Sequence, residues 1–404
     1  MYETNRITAK HRRGQIGKFT KRMKLTFFGD LAISGVECPD VSYELLSFIR
    51  GSDVICANLE GPVFCDGDSP MKAGPRLHSD GELETLVSRL GINLFDIANN
   101  HILDYGLDNA RSTLEQLGIP GVGMVAPPLS SLVRNFVDEH GQTVSVMAAA
   151  ESFFSTIQLT AEISEGSIVS LTDPRFEDLI RDQVRQSDFV IVLAHAGLEN
   201  LQYPLPEWRS VYKRFVDLGV SLVVGHHPHV SQPFEKHRDG YIFYSVGNLC
   251  FSTNQLTDAT NACKGLGVSI QTQPECKMEI DVRQITYDQV SNLITVLPSE
   301  EGTALEIGVH ISALEIENQV NTAVRTAFVE ELKFFIDDAV NGVGLEPDWS
   351  TVFRTLLIPS QKKYFAANPE AITTRQINLA HTFRIESYRW AIERALTSGI
   401  NVLS

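Results

Sequence analysis

The stretch VSLVVGHHPHV, residues 220–230, shows most clearly which kind of fold the sequence encodes. Its first five residues suit a buried strand, and three histidines follow within four positions. Similar apolar runs alternate with helical patterns over residues 24–248, which favours βαβ units and an α/β fold. Strands that are apolar throughout are expected where both faces of a sheet are covered. Ligands of open α/β sheets bind at the carboxyl ends of strands, so polar residues at those ends are the candidate site.

The periodicity of the chain predicts a series of strands and helices. Apolar runs predict strands at 24–30, 53–60, 93–101, 144–150, 189–195, 220–227 and 241–248, with one or two more over 282–298. Amphipathic spacing predicts helices at 81–91, 107–118, 174–187 and 208–219.

The chain divides into three predicted regions. Residues 1–22 are basic and form a flexible arm, and residues 23–304 form one large α/β domain. Helical periodicity over 313–342 and 373–399 indicates that residues 305–404 form a helical C-terminal extension.

Composition narrows the classes of function. With 43% hydrophobic and 21% charged residues, the chain of 404 residues is of the globular type. A formal net charge of −16 disfavours nucleic-acid binding, which normally needs a basic face. The six cysteines show no CxxC spacing, so neither a zinc knuckle nor a disulfide framework is indicated. No apolar run has the length of a signal peptide core or a membrane span, so we expect a cytoplasmic protein.

The GHHPHV segment is the strongest candidate for a metal site. His227 and His229, with one residue between them, can present both rings to one site from an extended or turning backbone. Imidazole suits borderline divalent metals such as zinc, manganese or iron. For His226 the sequence leaves two roles open, a metal ligand or a partner that supports the ligands.

The second candidate is ANNHILDYG, residues 98–106. Asn100 offers a carbonyl oxygen to a metal, and His101 can donate or accept a proton. Asp104 is placed to accept a hydrogen bond from the other nitrogen of His101, which would fix the tautomer of the ring. This segment predicts an acid–base pair beside the metal site.

Further polar residues follow other predicted strands. They are Asp30, Asn58 and Glu60 of NLEGP, His195 and Glu199 of AHAGLE, and Asn248 of YSVGN. Each also has a purely structural interpretation: a turn aspartate for Asp30, a buried satisfied histidine for His195 and a structural turn around Asn248. The combination is more specific than any one segment.

Together the strand ends offer six candidate ligands, namely Asp30, Glu60, Asn100, His195, His227 and His229. Six ligands are enough for two divalent ions that share a bridging carboxylate. Two such ions, ~3.5–4 Å apart, could polarise a phosphoryl oxygen and activate a water. His101 would then protonate the leaving oxygen while Asp104 holds its ring.

The order GD, NLE, NNHxxDxG, HxGxE, GHHPHV and YSxGN, across roughly residues 24–252, resembles the CapA or PGA-cap family of bacterial capsule and poly-γ-glutamate synthesis proteins. The resemblance implies membership of the calcineurin-like metallophosphoesterases and therefore a four-layer αββα sandwich. It also implies that Asn100 is a metal ligand and that His101 and Asp104 form the leaving-group dyad.

Two departures from the usual phosphoesterase motifs concern the metals. Ala32 stands where the first motif, DxH, has its histidine, and Glu60 stands for the usual bridging aspartate. These changes leave one metal position short of a ligand, so the resemblance implies one or two divalent ions (Mn, Zn or Fe).

Three functions are compatible with these residues. The first is a metal-dependent hydrolase of a phosphoester, or a related ester or amide, in capsule, exopolymer or envelope metabolism. The second is a non-hydrolytic accessory protein of polymer synthesis, and the third is a metal-dependent amide-forming or transfer enzyme. The partner we expect is a small-molecule or polymer-precursor substrate, which Glu199 and the C-terminal extension could select; the oligomeric state stays open.

Overall fold

The structure is a computed structural model that describes residues 17–18, 22–63, 76–151, 165–252, 264–273 and 277–297. Within these ranges the helices are α1 (Tyr43–Ile49), α2 (Glu82–Leu90), α3 (Leu107–Leu117), α4 (Pro174–Gln186) and α5 (Pro206–Asp217). The strands are β1 (Gly17–Lys18), β2 (Lys24–Ile33), β3 (Asp40–Val41), β4 (Val54–Leu59), β5 (Leu94–Asp96), β6 (Gly121–Val122), β7 (Ser130–Ser131), β8 (Val133–Val137), β9 (Thr143–Ala150), β10 (Phe189–His195), β11 (Leu222–His226), β12 (Phe234–His237), β13 (Gly240–Phe243), β14 (Asn248–Ser252), β15 (Lys264–Gln273), β16 (Lys277–Asp288) and β17 (Leu293–Val296).

These strands form two mixed sheets. The first sheet has the order β1-β8-β9-β10-β11-β13-β12, and its strands β9, β10, β11 and β13 are parallel. The second sheet has the order β3-β17-β16-β15-β2-β4-β5-β6-β7, with β14 pairing in parallel beside β2. Strands β2, β4, β5 and β6 are parallel, whereas β15, β16 and β17 are joined in antiparallel pairs. The predicted α/β class is therefore found.

The first sheet is covered on both faces, which explains why its strands are apolar throughout. Ile191 and Leu193 of β10 lie in one core together with Phe27 and other residues of the second sheet. Their neighbours Val190 and Val192 point the other way and pack with residues of α4 and α5. The alternation follows from the two-residue period of a strand.

Most predicted elements are confirmed to within two residues. The predicted strand at 189–195 coincides with β10, and the helix predicted at 208–219 begins at Pro206, a residue that favours the first turn of a helix. The segment predicted as one or two strands over 282–298 falls in β16 and β17. The strand predicted over 93–101 is shorter, since β5 ends at Asp96.

The prediction of a single strand over 241–248 is wrong. This segment is two elements, β13 in the first sheet and β14 in the second, separated by a turn in which Gly247 has a φ of 66°. The chain crosses between the sheets here, and glycine permits the close approach: a Cβ on Gly29 would lie 1.8 Å from the carbonyl oxygen of Gly247. This crossing places Asn248 beside Asp30 in the strand register.

Two of the predicted regions lie mostly outside the described residues. Gly17–Lys18 pairs in parallel with β8, and the rest of the arm predicted at 1–22 falls outside apart from Arg22. The extension predicted at 305–404 falls outside entirely, and both regions stay predictions. Among the described helices, none has both the length and the apolar character that crossing a membrane requires.

Candidate metal centre

The predicted site residues meet where strands of both sheets end. The second sheet supplies Asp30 from within β2 and Glu60 from the position after β4. The first sheet supplies His195 at the end of β10, and His227 and His229 from the turn after β11. Asp30 was predicted to close its strand; instead β2 continues to residue 33 after an irregular pairing with β4.

Five of the six predicted ligands form two groups that could each hold a metal ion. One group is Glu60, His195 and His227, and the other is Asp30, Glu60 and His229; in each, the ligand atoms lie within 4.8 Å of one another. Glu60 belongs to both groups. Its Oε1 lies 3.6 Å from Nε2 of His195, and its Oε2 lies 3.8 Å from Nε2 of His229. This carboxylate is therefore placed to bridge two ions.

Glu60 itself gives the clearest sign that the residues suit a cation. Its side chain is fully buried, and neither carboxylate oxygen makes a hydrogen bond within the described part of the chain. Burial raises the pKa of Glu60 well above its usual value. An ionised carboxylate buried without hydrogen bonds is costly, and a divalent ion among these ligands would offset that cost. Carboxylate and imidazole donors are typical of Zn, Mn and Fe sites.

The histidines of the two groups differ in charge. Burial, together with neighbouring histidines, lowers the pKa of His195 well below its usual value, and burial lowers the pKa of His227 to about 4. Both are therefore neutral at pH 7, the form that binds metals. Burial also opposes protonation of His229, but Glu60 and Asp30 outweigh it and raise its pKa to about 10. Without a metal, His229 supplies the positive charge beside these carboxylates.

Three asparagines hold the candidate ligands in place. Nδ2 of Asn58 donates to Asp30 (2.7 Å) and lies 3.3 Å from Nδ1 of His195, so this residue links the two groups. Oδ1 of Asn248 accepts a hydrogen bond from Nδ1 of His229 (3.0 Å). Oδ1 of Asn100 lies 2.9 Å from Nε2 of His195, the nitrogen that also faces Glu60. The oxygen of Asn100 therefore lies beside the first group, and its role as a ligand stays a prediction.

His101 and Asp104 form a pair beside the two groups. Nδ1 of His101 lies 2.7 Å from Oδ2 of Asp104, and the same oxygen accepts the backbone N–H of Leu77 at 2.9 Å. Asn99, which the sequence did not single out, accepts the backbone N–H groups of His101 and Ile102 and so fixes this turn. The arrangement suits a histidine whose tautomer is set by a carboxylate.

His226 lies outside both ligand groups. Its Nε2 lies 3.2 Å from the carbonyl oxygen of Phe28, and its Nδ1 lies 3.2 Å from Oδ2 of Asp96. Both nitrogens face acceptors, so neither is directed at a metal. Although burial opposes it, the Asp96 carboxylate raises the pKa of His226. The ring of His226 therefore contacts two strands of the second sheet. Asp96, its carboxylate partner, was missed because it lies inside an apolar run.

Glu199 lies at the exposed side of the site. It follows β10 in a turn, and its charge raises the pKa of both His227 and His229. Its carboxylate is therefore near enough to influence the charge of these ligands, but it belongs to neither ligand group.

Comparisons with known proteins show which family the chain belongs to. The pattern of the family described as "Bacterial capsule synthesis protein PGA_cap" matches residues 10–253. The capsule biosynthesis protein CapA of Bacillus anthracis is 30% identical over 50% of this chain and 52% of its own length. A "probable polyglutamine synthesis accessory protein" of Mycobacterium tuberculosis is 28% identical over 49% of this chain and 55% of its own. The chain thus spans about half the length of these curated relatives.

Among solved structures, the sulfate thiohydrolase SoxB of Thermus thermophilus aligns with 76% of this chain and 61% of its own, at a TM-score of 0.39 and 11% identity. A likeness this distant carries no argument about chemistry. The family match covers more than half of the chain and contains every candidate ligand. The chain therefore belongs to the PGA_cap family of bacterial capsule synthesis proteins.

Proposed function

We propose that this chain is a metal-dependent hydrolase that cleaves a phosphoester, or a related ester or amide, in capsule, exopolymer or envelope metabolism. The observation that carries the proposal is the buried carboxylate of Glu60, which lies between two groups of ligands and makes no hydrogen bond of its own among the described residues. The acid–base pair beside it supplies what hydrolysis needs in addition to a metal. The substrate is a small molecule or a polymer precursor.

In this proposal each residue has a defined part. Asp30, Glu60, Asn100, His195, His227 and His229 hold one or two Mn, Zn or Fe ions. A metal bound there would supply Lewis-acid stabilisation of the charge that develops on the substrate. His101 donates a proton to the leaving group from the nitrogen opposite Asp104. Asp104 keeps the ring in the required tautomer, and the N–H of Leu77 keeps Asp104 in place.

A second candidate is a non-hydrolytic accessory protein of polymer synthesis. The name of the Mycobacterium tuberculosis relative, an accessory protein of polyglutamine synthesis, favours it. The same ligand set would equally serve amide formation or transfer. The pair His101–Asp104 distinguishes these candidates, because a binding protein needs no proton donor.

The proposal also includes finer features of the fold and its setting. We propose that the two sheets pack face to face with helices outside both, giving the four-layer αββα sandwich of metallophosphoesterases. The cores support it, since residues of both sheets share one cluster and α4 and α5 cover the outer face of the first sheet. A cytoplasmic location remains part of the proposal.

The test is a turnover assay on the full chain after removal of metals and reloading with Mn²⁺ or Zn²⁺. Generic phosphodiesters, phosphomonoesters and esters serve as first substrates, followed by amide-containing envelope precursors. We expect turnover that requires added metal and is lost in His101→Gln. A chain that binds metal but turns over none of these substrates would favour the accessory function.

A further inference from the structure

A second histidine–carboxylate pair, His226 and Asp96, lies beneath the candidate metal centre and connects the two sheets. His226 is the last residue of β11 in the first sheet, and Asp96 is the last residue of β5 in the second. Both side chains are buried, and Nδ1 of His226 lies 3.2 Å from Oδ2 of Asp96. The other nitrogen of the ring lies 3.2 Å from the carbonyl oxygen of Phe28 in β2. One ring from the first sheet thus contacts two strands of the second.

Asp96 also fixes the turn that carries the acid. Its Oδ1 accepts the backbone N–H of Ala98 at 2.9 Å, where the chain leaves β5. The residues that follow are Asn99, Asn100 and His101. One carboxylate oxygen therefore holds the turn that carries the proton donor, while the other oxygen faces the histidine from the first sheet.

His226 is the residue from which the turn with the candidate ligands begins. Its backbone carbonyl accepts the N–H of Ala196, directly after His195. The following residues His227 and His229 have φ angles of 93° and 57°. This left-handed backbone conformation is unfavourable for residues other than glycine. Such a turn persists only where its surroundings hold it, and the fixed ring of His226 is the contact at its start.

We infer that Asp96 and His226 are positioning residues of the metal centre, which set the distance between the histidines of the first sheet and the carboxylates of the second. Each ligand group draws on both sheets, so a change in this distance affects both groups. Neither residue belongs to a ligand group, and the pair acts through the turns it holds. This inference rests on the proposed function, because it requires that the site binds a metal.

The test is Mn²⁺ affinity of the full chain, measured by calorimetry at a temperature well below thermal unfolding. Asp96→Asn removes the charge but keeps an oxygen for the N–H of Ala98, and His226→Gln keeps a donor for the carbonyl of Phe28. Residues that support metal ligands typically change affinity by about 10–100-fold, and we expect this loss in each variant. The double variant should bind Mn²⁺ about as tightly as the single variant with the lower affinity, because the two residues act as one unit.

The matched control is Glu235→Gln. Glu235 is also a buried carboxylate of the first sheet, paired with Arg209 at 3.0 Å, and it belongs to neither ligand group. Breaking that pair should lower thermal stability while leaving Mn²⁺ affinity within about twofold, far below the effect expected at ligand supports. The absorption spectrum of bound Co²⁺ gives a second readout, which should change in the pair variants and stay the same in the control.

Either pair variant, if folded, is sufficient for the test, so poor folding of one does not prevent it. Wild-type Mn²⁺ affinity and an unchanged Co²⁺ spectrum in Asp96→Asn or His226→Gln would overturn the inference alone. A loss no larger than that of the control would do the same. A folded wild-type chain that binds no Mn²⁺ would overturn the proposed function and this inference with it.

Discussion

The two histidine–carboxylate pairs at this site contain the same residue types but differ in place and connection. His101 and Asp104 are three positions apart on one turn, and the side chain of His101 retains 8% of its exposure. His226 and Asp96 come from different sheets, and their side chains are 1% and 0% exposed. Local connection and access suit a group that exchanges a proton with a substrate, whereas burial between two sheets suits a group that holds them.

The ring nitrogens of His226 and His101 also differ in their contacts. His226 has the carbonyl oxygen of Phe28 and the carboxylate of Asp96 within 3.2 Å of its two nitrogens, and the contact with Asp96 is an ion pair without hydrogen-bond geometry. His101 uses Nδ1 for its carboxylate, and its ring lies close enough to His195 and His227 to affect their pKa values. The comparison teaches that a sequence motif alone does not separate a proton donor from a support.

The largest effect should come from His101→Ala. Because general acid catalysis typically contributes about 10²–10⁴-fold, turnover should fall by that factor, whereas metal content should hardly change. Steady-state kinetics and elemental analysis of the same sample measure both. His140→Ala is the control, since His140 lies on an exposed turn and should change neither quantity. Loss of metal in His101→Ala would indicate that His101 is a ligand, and retained turnover would contradict its role as the proton donor.

Next in size is the effect of single ligands on metal content. His227→Ala should lower the affinity for an ion bound by the group that contains His195. His229→Ala or Asp30→Ala should lower the affinity for an ion bound by the other group. We expect each loss to be at least about 100-fold in affinity, since a ligand matters at least as much as the residues that support it. Mn²⁺ titration of each variant is the measurement. Equal loss of all bound metal in every variant would indicate one ion in place of two.

A smaller effect, of opposite sign, is expected for the stability of the metal-free chain. Glu60→Gln removes a buried carboxylate that has no hydrogen bond among the described residues, and it should stabilise the metal-free chain by about 1–3 kcal/mol. Urea unfolding in the presence of a chelator measures this. Destabilisation by Glu60→Gln would mean that protonated His229 fully compensates the carboxylate in the metal-free chain.

The smallest effect concerns the support of the acid pair. Gly61 has a φ of 107°, and a Cβ there would lie 2.8 Å from the carbonyl oxygen of Leu77. Gly61→Ala should cost about 1–3 kcal/mol of stability through backbone strain and displace the N–H that Asp104 accepts. Turnover should fall by less than in His101→Ala. Unchanged turnover in a destabilised variant would show that Leu77 does not matter for the dyad.

Much of the fold could be predicted from the sequence because its strands are apolar and its helices amphipathic. Strand β10 and helix α4 were predicted to within a residue, since Asp173 and Pro174 mark the start of the helix. The crossing between the sheets at Gly247 could not be predicted, because the apolar run continues through the turn. The continuation of β2 past Asp30 could not be predicted either. The buried carboxylate of Asp30 depends on contacts with Asn58, His227 and His229, which are distant in sequence.

The candidate site shows the same limit. The polar residues after the strands predicted which side chains gather, because parallel strands end at one edge. The roles of Asp96, Asn99 and His226 depend on contacts between segments far apart in sequence. An aspartate within an apolar run was the available signal for Asp96, since a buried charge requires a partner.

The most direct test of the account is the binding of Mn²⁺ by the purified full chain and by Glu60→Gln. The account predicts one or two ions per wild-type chain and a large loss of affinity in the variant, because Glu60 belongs to both ligand groups. A folded wild-type chain that binds no Mn²⁺, Zn²⁺ or Fe²⁺, or a Glu60→Gln chain that binds them as the wild type does, would contradict it.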